Sequence, residues 1–157
     1  MLKPFNIVFH KGRTPISRII KKLTKEPYSH CAFVISDFHL LQLDYKSPTV
    51  IKHLEYPRRN YDTYELITPL TNEEKERVIN FIIARINTSY DFQFIFSRMF
   101  NILLRTPIIN SKNKYNCDEL VRDALRSVGI NLIEDDSNLS PGELAKSKLL
   151  RKIKEVD

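Results

Sequence analysis

The feature that most limits the fold is a change of pattern along the chain. From Ser29 to Thr68, four stretches, "SHCAFVIS", "HLLQLDY", "TVIKHLE" and "YDTYELIT", are short, rich in β-branched and apolar residues, and bounded by turn formers. Such runs read as strands, whose alternate side chains point to opposite faces. Ser36–Asp37 supplies one turn and Pro57–Asn60 a longer connection. From Thr71 onward the apolar spacing becomes helical. Thr71 with Glu74 forms a capping box, and Val78, Phe81, Ile82 and Ile86 form the buried stripe behind it. "YDFQFIFSRMFNILL" reads as a second helix, with Phe92, Ile95, Phe96, Met99 and Leu103 on one face. A third runs from Cys117 to Val128, with Gly129 as its C-terminal cap. Ser140, Pro141 and Glu143 start a fourth.

Ahead of the strand cluster, Pro4–Phe9 reads as one more strand and "TPISRIIKKLTK" as an amphipathic helix. Ile16, Ile19, Ile20 and Leu23 line one face of that helix; Arg18, Lys21, Lys22 and Lys25 line another. Strands grouped apart from helices give the α+β class: a four-strand meander plus the first strand, about five antiparallel strands packed against helices. No repeat or composition break divides the 157 residues, so one domain over 1–157 is expected.

With 42% hydrophobic and 28% charged residues, the chain has the composition of an ordinary globule, and no window is apolar enough to span a membrane. "MLKPFNIVFHKGR" lacks the pattern of a secretory signal, so a cytoplasmic setting is expected. Action outside a cell would need lysis, a virion or a holin-like route. Two cysteines, Cys31 and Cys117, are too few for a disulfide scaffold. The net charge of +6 suits an anionic partner, whether nucleic acid, lipid surface or cell-wall polymer.

The chemistry gathers at "YNCDELV". A thiol at a helix start is favoured as thiolate by unsatisfied amides and the helix dipole. A neighbouring imidazole can take its proton and return it to the leaving group. His30 is the best placed of the four histidines. Alternation puts it with Ala32 and Val34, small apolar neighbours over which another element can pack closely. On the next strand, Gln42, flanked by leucines, or Asp44 on the same face would orient the imidazole. Against this stands the plainer reading that a free cysteine is usually an inert, buried filler.

The set "YSHCAFVIS", "LLQLD", "SYDFQF", "YNCDELV" and "LSPGELAKS", in that order, resembles the circularly permuted NlpC-like branch of the papain-like cysteine hydrolases. This branch includes YiiX-like bacterial proteins and is related to the lecithin:retinol acyltransferase-like enzymes. The likeness runs from Phe5 to about Lys148. It implies a permuted papain-like fold in which the histidine strand precedes the cysteine helix, with Cys117 as nucleophile, His30 as general base and Gln42 as the third polar residue. It also implies Tyr90 and the Cys117 amide as oxyanion donors. Tyr28 and Ser29 ahead of His30, with Arg18 and Lys22 of the basic face, are the expected substrate contacts. In the peptidase branch the cysteine is followed by Ser and Gly. Here Asp118 and Glu119 follow it, two carboxylates that suit the dipole but oppose thiolate formation.

The expected activity is amide cleavage through a thioacyl intermediate, in a cell-wall peptide, with no metal or other cofactor required. The alternative on the same fold is hydrolysis or transfer of a lipid acyl ester. From a different class comes a catalytically silent basic module that binds an anionic polymer or nucleic acid. A peptide or acyl substrate and an anionic cell-wall or membrane surface are the expected partners, with nucleic acid last among them.

Overall fold

A computed structural model describes residues 2–36, 39–44, 47–55, 58–85 and 115–153, with backbone alone at 42–44 and 47–50. Six strands form one sheet: β1 (Ile7–His10), β2 (His30–Ser36), β3 (His39–Asp44), β4 (Ser47–His53), β5 (Tyr61–Leu66) and β6 (Leu150–Lys152). Their spatial order is β4-β3-β2-β1-β5-β6, and every neighbouring pair is antiparallel. Among the described residues four α-helices accompany them: α1 (Pro15–Thr24), α2 (Asn72–Ile83), α3 (Cys117–Arg126) and α4 (Pro141–Ala145). The chain is thus α+β. The helix expected over "YDFQFIFSRMFNILL" lies outside the described residues, as does Ile86.

Two expectations need correction. The meander stops after β4, because β5 crosses back to pair with the free edge of β1, Phe9 facing Asp62 and Ile7 facing Tyr64. β1 is short and almost wholly apolar, so its ladder groups need partners on both edges. The sheet also gains a sixth strand, from the basic C-terminal run, where about five were expected. Tyr64 faces Lys152 there, Arg151 pairs with Glu65 at 2.6 Å, and Ile153 N donates to Thr63 O at 2.8 Å.

The helix boundaries follow the local chemistry. Thr71 Oγ1 accepts from Glu74 N, and Glu74 Oε2 accepts from Thr71 N, closing the capping box of α2. Ser140 Oγ accepts from Glu143 N ahead of α4, with Pro141 at its first position. After α3 the chain turns through Gly129 at φ 82°, a conformation open to glycine, while Ile130 N returns to Leu125 O.

The sheet has two apolar faces. Ile7, Phe9, Cys31, Phe33 and Leu41 pack under α3 (Leu120, Val121, Ala124, Leu125) and α2 (Val78, Ile82). Leu2, Val8, Ala32, Val34, Leu40 and Tyr61 form a smaller cluster on the reverse face. α1 leaves all of its residues exposed or half-buried. Phe33 is therefore central to the larger core, and Phe33→Ala should cost about 3–5 kcal/mol in urea unfolding. Ile19→Ala, on exposed α1, should cost less than about 1 kcal/mol. Similar losses for the two would contradict this division of the core.

Candidate active site

α3 begins at Cys117, and three features fix its first turn. Arg85, just past the end of α2, lays its guanidinium over the Phe81 ring at 3.3 Å and donates from Nε to the Tyr115 hydroxyl at 3.0 Å. The chain leading into α3 is thereby tied to α2. Glu119 Oε2 accepts from Asn116 N at 2.9 Å. Asp118 Oδ1 accepts from Glu119 N at 3.1 Å. The two carboxylates that sequence reasoning set against the thiolate thus bond amides of their own helix turn. Such acceptors near a helix N-terminus stabilise the helix itself.

The fold brings Cys117 to the start of β2, where it hydrogen-bonds with both the Cys31 thiol and the His30 imidazole. Both cysteines are buried and free. The Cys117 thiol is held well below the ordinary thiol range: the Cys31 hydrogen bond contributes most, burial opposes, and the charge and hydrogen bond of His30 add to the lowering. The Cys31 thiol is pushed well up by burial and by its bond to Cys117. A shared proton has to sit on one sulfur. The helix N-terminus and His30 both favour the anion at 117, so Cys31 keeps the proton and donates it.

His30 is half-buried at the first position of β2, facing His10 across the ladder. The face argument for it was wrong. Ala32 and Val34 belong to the reverse cluster, whereas Cys31 and Phe33 lie beneath α3. His30 meets Cys117 from the strand's end, where alternation matters least. Cys31 is the site residue that sequence reasoning missed; its signal was its parity with Phe33.

The other expected site residues are placed as follows. Ser29 is buried beside His30, and its hydroxyl has no partner. Tyr28 is buried and donates to Asp62 Oδ2 at 2.5 Å, with the Tyr64 hydroxyl at 3.2 Å. Burial and the Asp62 bond push the Tyr28 phenol far up, so it stays protonated. Burial would raise the Asp62 carboxyl, but Tyr28, Lys11 at 2.9 Å and Lys152 at 3.0 Å outweigh it and hold it below the usual range. Arg18 and Lys22 are exposed on α1. In β3 the backbone of Gln42 faces Val50 of β4 and that of Asp44 faces Ser47, while both side chains lie outside the described residues. Tyr90 also lies outside them.

No family model matches the chain. No curated protein matches it significantly. Among solved structures, the fold is similar to the crystal structure of metalloprotein yiiX from Escherichia coli O157:H7, DUF1105. The TM-score is 0.74 at 16% identity, over 98% of this chain and 97% of that one. The likeness is one of fold.

Iodoacetamide should alkylate Cys117 at mildly acidic pH, where an ordinary thiol with a pKa of about 8.5 is protonated. Cys31→Ala and His30→Ala should each move the midpoint of Cys117 labelling to higher pH, because each removes a group that favours the anion. Midpoints unmoved in both variants would break the link between geometry and ionisation.

Proposed function

We propose that this chain is a thiol hydrolase of the permuted NlpC-like, papain-like type, cleaving an amide bond in a cell-wall peptide. The observation that carries the reading is the convergence of a thiol at a helix N-terminus with an imidazole from a strand start. The order of the two in the chain, His30 before Cys117, and the YiiX-like fold support the permuted arrangement.

In this reading the Cys117 thiolate attacks the substrate carbonyl. The backbone N–H of Cys117, at the first position of α3, donates to the oxyanion that forms. Collapse breaks the C–N bond as the His30 imidazolium gives its proton to the leaving nitrogen, leaving a thioacyl enzyme. His30 then takes a proton from water as the water attacks the thioester. The second oxyanion collapses to release a carboxylic acid and the Cys117 thiolate. One water is consumed per amide cleaved. Ser29 fits a substrate contact, since its buried hydroxyl makes no bond within the protein.

The yiiX protein is described as a metalloprotein. Among the described residues of this chain, no three His, Cys, Asp or Glu side chains gather as a cation site, so no step is routed through a metal.

One observation favours a second reading, an acyl-ester hydrolase or acyltransferase working at an anionic lipid surface. On α1, Ile16 is 36% and Ile19 47% exposed, beside Arg18, Lys21 and Lys22. A basic helix with an open apolar stripe suits an interface. Among the described residues no helix is long and apolar enough to cross a membrane.

Incubation with muropeptides and, separately, with phospholipid vesicles distinguishes the two. Mass spectrometry should reveal new muropeptide fragments that are absent with Cys117→Ala, and His30→Ala should slow their formation by about 10²–10⁴-fold. Fatty-acid release without muropeptide cleavage would transfer the assignment to the lipid reading. If neither product forms and salt-sensitive binding of nucleic acid persists in Cys117→Ala, the chain is a binding module.

A further inference from the structure

β1 ends at His10 and β2 begins at His30, and the two residues face each other across the ladder. Residues 11–29 between them carry α1, so the helix stands at the end of the sheet where His30 meets Cys117. Its inner side is set by close contacts. A Cβ on Gly12 would lie 2.3 Å from Ser17 Oγ and 2.7 Å from Ser29 Oγ, and Lys21 Nζ donates to Lys11 O at 3.4 Å. With Ser17 and Lys21 turned to the body, helical spacing turns Ile19 and Lys22 outward, flanked by Ile16 and Arg18. Ile16 is 36% and Ile19 47% exposed, and Arg18, Lys22 and Lys25 are exposed with them. The helix sequence, "PISRIIKKLT", contains no carboxylate. Among the described residues no ion pair falls on Arg18, Lys22 or Lys25, and Glu26, the next acid along the chain, is held by Lys146.

We propose that α1 docks the protein on an anionic phospholipid bilayer, with Ile16 and Ile19 entering the boundary of headgroups and acyl chains and Arg18, Lys22 and Lys25 lying on the phosphates. Cations alone would suit any polyanion, but a soluble polymer offers no apolar phase and leaves both isoleucines in water. An uncharged bilayer takes the isoleucines and leaves the cations with nothing to neutralise. A surface that is apolar beneath and anionic above matches both halves of the outward face. α1 has 10 residues and so is about 15 Å long. Two inserted side chains on so short a helix make a shallow, reversible anchor that depends on the charges. The docking needs neither the Cys117 thiol nor cleavage of a lipid. It turns the His30–Cys117 end of the sheet toward the membrane, where an amide hydrolase would meet peptides held near the surface and an ester hydrolase the lipid itself.

The test sediments the whole chain with vesicles of phosphatidylcholine mixed with phosphatidylglycerol and, separately, of phosphatidylcholine alone. Heparin stands for a polyanion without an apolar phase. Three variants divide the surface. Ile16→Ser with Ile19→Ser removes the apolar half and keeps the charge, and Arg18→Gln with Lys22→Gln does the reverse. Ile67→Ser is the control: Ile67 is 52% exposed and follows β5 at the end away from Tyr61, the residue that faces His10. Because the chain has no tryptophan, Ile19→Trp adds a single indole that reports its own surroundings.

Wild type should bind the mixed vesicles about tenfold or more tightly than phosphatidylcholine alone. Ile16→Ser with Ile19→Ser should lose about tenfold on the mixed vesicles and nothing on heparin. Arg18→Gln with Lys22→Gln should lose about thirtyfold on the mixed vesicles, the product of about fivefold for each cation. The Ile19→Trp indole emission should move to the blue with mixed vesicles and stay in place with phosphatidylcholine. Equal binding to both vesicles, no binding to either, or a loss in Ile67→Ser matching that of the two isoleucines would overturn the proposal. So would heparin binding without an indole shift, which would mark the face as a polymer site. If the serine variant does not fold, the indole decides alone, and an emission unmoved by mixed vesicles overturns the docking.

Discussion

The structure depends on how the first turn of α3 meets the start of β2. A buried thiolate is costly, and burial alone pushes a thiol toward its neutral form. Three groups reverse that at Cys117: the Cys31 thiol, the His30 imidazole and the open amides of the helix N-terminus. None of them would be in reach if α3 were displaced by one turn. Much of the surrounding structure holds that register. Arg85 ties Tyr115 to α2, Phe33 and Leu41 carry the helix on the sheet, and β1 anchors β2 on one side and β5 on the other.

The same turn explains how two buried carboxylates can adjoin an anionic sulfur. Asp118 and Glu119 accept from backbone amides of the turn, which spreads their charge into the helix end.

Much of this could be read in the sequence wherever the signal was local. The Thr71–Glu74 and Ser140–Glu143 caps, the turn at Gly129 and the helix start at Cys117 each arise from residues within a few positions of one another. What was missed depends on contacts distant along the chain. Alternation separates Cys31 from His30 but cannot say which face a helix will cover, so the thiol beneath α3 went unrecognised. The passage of β5 to the far edge of β1 has no local signature. β6 is three residues in a basic run, and Glu65 and Asp62 on the neighbouring strand give Arg151 and Lys152 a reason to pair there. Gln42 is expected from its place on the strand after His30 and Tyr90 from resemblance alone, and the side chains of both lie outside the described residues.

The central claim is that one of the two sulfurs ionises well below the ordinary thiol range, and that it is the one on α3. Thiolate absorbs in the ultraviolet where thiol does not, so a pH titration of the native protein counts thiolates directly. The account predicts one thiolate per chain with a midpoint below the ordinary value of about 8.5, and its loss in Cys117→Ser. A midpoint at or above that value, or a signal that survives Cys117→Ser, would contradict it.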